Sequence, residues 1–311
     1  MATITNKFKI PSQVVSAILR DPYKRVGNIS ATSLIQSPRI FQLRKRHENE
    51  IEEDASERIW ALLGQIGHKI LERADDTGAI HEERISAMVS GWELSGQSDC
   101  YVTHETEYAK NGDATFKEIK PTIRDYKFIK VVAGKFDHPE WEQQLNILAY
   151  LWRTQGFAVE RLEIVAIFRD WGLFQYEKQT RENPYPPPVK VYKQSLWSQG
   201  EAEMFVKARV KAHQMAGKLP DDLLPFCTPE EQWRRDPKWA VMSNRVTRAK
   251  KLCNSNAEAE KFIKDNHQKI TGLFIEYRPG VAVRCESYCD VRKWCNQFEM
   301  ETRNKAREEA V

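Results

Sequence analysis

No stretch of this chain approaches the roughly 18 consecutive apolar residues that a membrane-spanning helix needs, and no segment is of low complexity. The opening MATITNKFKIPSQ holds no apolar core of the kind a secretory leader carries, so a cytoplasmic, intracellular protein is expected. An excess of one charge sign is also missing: 48 Lys and Arg against 44 Asp and Glu leave a net +4. So mild a surplus permits a nucleic-acid partner without pointing to one. Without a leader, the six cysteines are not expected to form a disulfide framework. What is present is the composition of a soluble globular protein, 41% hydrophobic and 30% charged, in 311 residues, enough to bury a full core.

The chain opens with NISATSLIQSPRIFQLRKRHE, which reads as a short helix with Ser30 or Thr32 as N-cap, a turn at Ser37-Pro38 and a second helix. Its apolar Leu34, Ile35, Ile40, Phe41 and Leu43 should face the core, while Arg39, Arg44, Lys45 and Arg46 should form a solvated basic face. A strong helix follows in ASERIWALLGQIGHKILERADD, with Ser56 as expected N-cap and Ile59, Trp60, Leu62, Leu63, Ile66, Ile70 and Leu71 at helical spacing. Gly64 and Gly67 each weaken such a helix by up to ~1 kcal/mol relative to Ala, which implies that something must approach closely there.

The pattern then shortens. ISAMVSGWELSGQSDCYV reads as two strands of a hairpin with Asp99 late in the second, and Asn111-Gly112 marks a further turn. In PTIRDYKFIKVV, period-two alternation puts Asp125 and Lys127 on one face of a buried strand. A second acid-x-lysine, Glu118-Ile119-Lys120, sits among charged neighbours and suits an exposed strand end. The next helix runs from Pro139 to Gly156, with Trp141, Leu145, Leu148 and Trp152 as its apolar stripe and Gln144 at the stripe's edge. RLEIVAIFRDW is a core strand, ENPYPPPVKVYKQSLW a proline-rich connection, and Ser198 to Gly217 a helix. Beyond Leu219 come a capping box at Thr228-Pro229-Glu230-Glu231, a short strand at Lys238 to Met242, a helix near Ala257 to Asn266 and a hairpin around Pro279-Gly280. Cys253 falls in a lysine-rich stretch read as helical, and Cys100 reads as a small core residue.

Two carboxylates and a lysine can hold a divalent cation and a water beside a phosphate. In order and rough spacing, HKILE after Gly64, GQSD, DYK and QLNIL resemble the motifs of the PD-(D/E)XK nuclease superfamily. The match is to its RecB-like branch, which includes CRISPR adaptation nucleases and many phage-encoded exonucleases. The resemblance spans about Ile29 to Cys295 and implies an α/β restriction-endonuclease-like core, a mixed central sheet flanked by helices. That core, with its N-terminal helices, would occupy 1–218, and a cysteine-stapled appendix 219–311. It also implies that His68, Asp99 and Asp125 ligate Mg²⁺ or Mn²⁺ with the carbonyl of Tyr126. Lys127 would orient water or stabilise charge on the phosphate, and Gln144 would hold the nucleophile-side network or the DNA end. The branch usually carries Tyr four residues after that Gln; here the position is Leu148, and Tyr150 lies about 200° further round the helix axis.

Cys285-x3-Cys289-x5-Cys295 with one distant cysteine resembles that branch's [4Fe–4S] set. The relatives' lone upstream Cys-Pro is Ser37-Pro38 in this chain, which makes Cys227 the first replacement and Cys253 the second. Structural Zn²⁺ is the rival, although Cys₄ zinc ligands usually come as two close pairs. The implied function is a metal-dependent DNA nuclease, an exonuclease on single strands or duplex ends, in phage-type recombination, repair or replication, with a protein partner there. The alternative is a catalytically inactive nuclease-fold subunit that binds DNA or organises an assembly.

Overall fold

The computed structural model describes residues 3–20, 26–73, 79–244, 246–267 and 270–309. The chain divides into two compact units, one made of Met1–Gln36 and Glu48–Lys218, the other of Ser37–His47 and Leu219–Val311. Among the described residues, no helix is long and apolar enough to cross a membrane.

The first unit begins with β1 (Thr3–Thr5), α1 (Ser12–Leu19), β2 (Ile29–Ser30) and α2 (Ala31–Leu34). The chain leaves it for α3 (Pro38–Arg46) and returns at β3 (Glu52–Asp54) and α4 (Ala55–Leu71). Then come β4 (Ala79–Val89), β5 (Trp92–Tyr108), β6 (Ala114–Ile129), α5 (Pro139–Thr154), β7 (Arg161–Phe168), α6 (Leu173–Glu177), β8 (Val189–Gln194) and α7 (Gln199–Ala216).

A mixed sheet is the frame of this unit. β4 runs antiparallel along one edge of β5; the other edge is shared by β2, parallel at Leu94 and Ser95, and by β6, antiparallel from Cys100 onward. β6 and β7 are parallel, joined through α5, and β8 closes the edge antiparallel to β7. The sheet is buried beneath α5 because that helix is apolar on most of its circumference: Trp141, Leu145, Ile147, Leu148, Leu151 and Trp152 are all buried. Trp152 donates its indole N–H to Ser98 Oγ at 2.7 Å and stacks on Tyr101 at 4.4 Å, so its polar edge is satisfied inside the core. Leu148 packs over Gly96, where a Cβ would come within 2.5 Å of Leu148 Cδ2. Buried Asn146 bonds the carbonyls of Glu142 and Ser195 and the amide of Trp197, tying the segment before α7 to α5. A reciprocal Ser198–Glu201 capping box starts α7.

Several local expectations change. Asp54, not Ser56, caps α4, because its carboxylate reaches the Ser56 amide while also holding Lys7 N and Thr5 Oγ1. The apolar set of α4 is not a core stripe: Trp60, Leu63, Ile66 and Ile70 are each about half exposed. The expected end of this helix at Ala74-Asp75-Asp76 lies outside the described residues. The proline-rich connection contains a strand, β8, whose half-exposed VKVYKQ lacks the apolar density of a core strand.

The second unit takes α3 and continues with β9 (Arg234–Arg235), β10 (Lys238–Ser243), β11 (Val246–Cys253), α8 (Asn256–Asn266), β12 (Leu273–Arg278), β13 (Val281–Ala282), α9 (Val283–Ser287) and α10 (Asn296–Glu309). β10 lies between β11 and β12, antiparallel to both, with α8 against the sheet over Val241, Cys253 and Ala259. Cys253 is thus on a strand and in this small core, not on a helix. β12 and β13 do not form the expected hairpin; β13 pairs with β9 in a separate ribbon. The reciprocal Thr228–Glu231 bonds form as expected, but they cap a turn that runs straight into β9 instead of a helix.

Arg39 overturns the expectation of a solvated basic face. Its side chain is completely buried, donating to the carbonyls of Leu224 and Pro225 and to Asn296 Oδ1. A planar guanidinium can be buried this way because all three of its nitrogens find fixed acceptors. Arg44 grips Asp290 with two bonds of 2.7 and 2.8 Å, and Arg46 meets Asp221.

Candidate metal centres

The first centre forms where β5 and β6 part company. Their backbone ladder ends at Cys100↔Arg124, and from there the Asp99 carboxylate accepts the Tyr126 amide at 2.7 Å, in place of a backbone acceptor. Asp125, on the diverging strand, is buried; its Oδ1 accepts from Gln144 Nε2 at 3.0 Å. Its Oδ2 lies 2.7 Å from Lys127 Nζ without hydrogen-bonding geometry, which leaves that buried oxygen short of a proper donor. α5 therefore delivers Gln144, and the alternation of β6 delivers Asp125 and Lys127 together.

α4 supplies His68. Gly67 makes this possible, since a Cβ there would collide with the Phe128 ring at 2.1 Å. His68 stands edge-on to Tyr126 and Phe128, and its Nδ1 lies 3.5 Å from both Asp99 and Glu82. Ligand atoms of His68, Glu82 and Asp99 all fall within 4.8 Å of one another, close enough for one cation.

Glu82 is the residue that sequence reasoning missed. It sits in β4 at φ +52°, a left-handed conformation uncommon for a side chain of its kind. The β4–β5 ladder pairs His81 with Cys100 and Glu83 with Ser98, so Glu82 falls opposite Asp99. Gln97 Nε2 donates to its Oε2 at 2.8 Å. The signal was available: counting back from the Ser90-Gly91 turn gives the same pairing.

The electrostatics are those of crowded, buried carboxylates. Burial, then the neighbouring Asp125 charge, pushes the Asp99 carboxyl up to about 7. The hydrogen bond to Glu82 holds His68 above its ordinary range, against burial and aided by the charge on Asp99. Glu82 is held below its range, by His68 foremost. Burial works against the Lys127 ammonium, but the adjacent Asp125 charge outweighs it and raises the group, so Lys127 is a cation here and not a base. A divalent ion with oxygen and imidazole ligands fits this donor set. Of the sequence-predicted residues, His68 and Asp99 share this group with Glu82. Asp125 adjoins Asp99 and carries Lys127 and Gln144. Leu148 lies in the core over Gly96, and Tyr150 is buried near Glu203 and Lys207 of α7.

The second centre belongs to the other unit. Cys227, Cys285, Cys289 and Cys295 line one pocket together with Arg39, Arg284 and Gln297. Cys227 Sγ lies 3.2 Å from Ser37 Oγ, and Gln297 bonds both the amide and the carbonyl of Cys227. Arg39 Nη1 reaches Cys295 Sγ at 3.7 Å. Cys253 is not among them. All six cysteines are free thiols. Burial pushes Cys227 up to about 11 and Cys285 up to about 12, and raises Cys289 as well. No three of these sulfurs lie within 4.8 Å of one another among the described residues.

No family model matches the chain, and no curated protein matches it. Among solved structures, the chain is similar to one titled "Crystal structure of SSO0001", at 14% identity and a TM-score of 0.41, over 64% of this chain and 83% of that one.

Proposed function

We propose that this protein is a divalent-metal-dependent DNA nuclease with a PD-(D/E)XK, restriction-endonuclease-like core of the RecB type. One observation carries the reading: two strands splay so that Asp99, Asp125 and Lys127 meet a histidine, His68, from a neighbouring helix. His68, Glu82 and Asp99 would hold Mg²⁺ or Mn²⁺, with the short-changed Asp125 oxygen beside them. When bound, the ion would polarise a phosphate and lower the pKa of its water. Lys127, held charged by Asp125, places a fixed cation where negative charge builds on phosphate oxygens. Gln144 fixes the Asp125 rotamer from α5.

The spread of the four cysteines supports an iron–sulfur cluster over zinc as the group they would hold. Tetrahedral zinc at ~2.3 Å from each sulfur draws the sulfurs to about 3.8 Å of one another, closer than this pocket sets any three. Cys227 would be the distant ligand, beside Ser37. Such a cluster would staple the ends of the second unit together and need deprotonated thiols.

The deciding experiment is cleavage of labelled single- and double-stranded DNA with Mn²⁺ or Mg²⁺. The parent should degrade DNA and lose that activity with chelator, while Asp99→Asn and Lys127→Ala should lose cleavage by at least ~100-fold yet still bind DNA. Folded parent protein that binds DNA but cuts none under either ion would make it a binding subunit instead.

A further inference from the structure

Two glycines interrupt α4 and only one is explained by the protein itself. Gly67 makes room for Phe128, but a Cβ at Gly64 would meet none of the described residues within 4 Å. A mid-helix glycine facing open space gains nothing for the fold, since Ala there would strengthen the helix. Its helical neighbours show what the space adjoins. Trp60, Gly64 and His68 follow one another at intervals of four, so they form one stripe along α4 about 12 Å long. At one end is the metal centre. At the other, Trp60 is 54% exposed, and the Arg169 guanidinium lies 3.8 Å over its ring.

We infer that this stripe is the track along which a single DNA strand reaches the metal centre, a reading that rests on the proposed nuclease function. An unpaired base stacks on Trp60, whose indole offers a flat apolar face at little entropic cost. Arg169 steadies that ring and supplies a positive charge for the adjoining phosphate. The backbone then passes over Gly64, where the missing side chain leaves the gap, and the next phosphates arrive at His68 and its carboxylates. Duplex DNA does not suit the track, because paired bases keep their faces stacked on one another and give Trp60 nothing to hold.

The variants are Gly64→Leu and Trp60→Ala, tested with fluorescein-labelled oligo(dT) in Ca²⁺ and with cleavage in Mn²⁺. Gly64→Leu should melt no lower than the parent, because its Cβ enters open space and Leu is a better helix former than Gly. Both variants should bind oligo(dT) about tenfold or more weakly and cut single strands correspondingly more slowly. Parent-like oligo(dT) affinity in both variants, with parent cleavage intact, would overturn the track and leave the nuclease reading standing. A parent that binds only duplex, with that binding lost in the variants, overturns the single strand as occupant. A parent that neither binds nor cuts any DNA removes the track together with the nuclease reading.

Discussion

Glu82 is the most informative single residue, because its backbone is held where glycine would be more comfortable. A left-handed conformation costs on the order of 1–3 kcal/mol and persists only where the surroundings enforce it. Here those surroundings are His68, Gln97 and the ladder positions on either side. Glu82→Gln keeps the shape and removes the charge, so Mn²⁺ affinity measured by calorimetry should fall at least ~10-fold, the scale at which even outer partners of a metal act. Unchanged affinity would remove Glu82 from the ligand set. The acid-and-lysine core of the site was legible in the sequence because strand alternation and apolar neighbours mark Asp125 and Lys127 without help from the fold. Glu82 was not, since adjacent Glu82 and Glu83 look alike until the hairpin register separates them. Arg39 was misread for a related reason: a basic run reads as solvated unless the carbonyls that receive it are known.

At the scale of elements, strongly periodic helices and strands were legible and their surroundings were not. α4 has the apolar spacing of a core helix, yet Leu63, Ile66 and Ile70 remain half exposed, because periodicity says which residues share a face and not what covers it. β8 escaped notice because an edge strand needs little apolar content, and Cys253 was assigned to a helix because its lysine-rich neighbours line an exposed strand. The docking of α7 on α2 carries its own consequence. His213 is fully buried and donates from Nε2 to the Leu34 carbonyl. Burial foremost, with the Arg209 charge adding to it, depresses His213 to about 4 from an ordinary 6.5. The folded state therefore keeps it neutral while the unfolded chain takes up a proton below 6.5. Its full contribution is present above pH 6.5, declines by up to ~1.4 kcal/mol per pH unit as pH falls towards 4, and changes no further below that. Urea midpoints between pH 7 and pH 4.5 should drop more steeply for the parent than for His213→Gln; parallel curves would refute the assignment.

Taken whole, the protein relies on two kinds of interior. The first unit is built on a sheet and α5, with Leu145, Ile147, Leu151 and Ile164 completely buried. The second has a small apolar cluster under α8 and, elsewhere, four cysteines around a pocket. On the proposed reading, a bound cluster would substitute for apolar core there, as in small domains that fold only when loaded. Cys285→Ala should strip the purified protein of colour and iron. It should also make the second unit sensitive to limited proteolysis while 48–218 survives as a resistant fragment; a variant as resistant as the parent would refute this. The path of the chain adds a constraint of timing. α3 emerges from the ribosome early, yet Arg39 finds an acceptor at Leu224, 185 residues later. Closing so long a loop costs little more free energy than closing a shorter one, because the penalty grows only with the logarithm of length. The cost is delay: Ile40, Phe41, Leu43 and a charged guanidinium wait for the segment beyond Leu219 to give them an interior. The second unit is thus completed only once the residues beyond Leu219 are made, the proposed cluster could be inserted only afterwards, and a chain ended at Lys218 would carry a helix shaped for a partner that never comes.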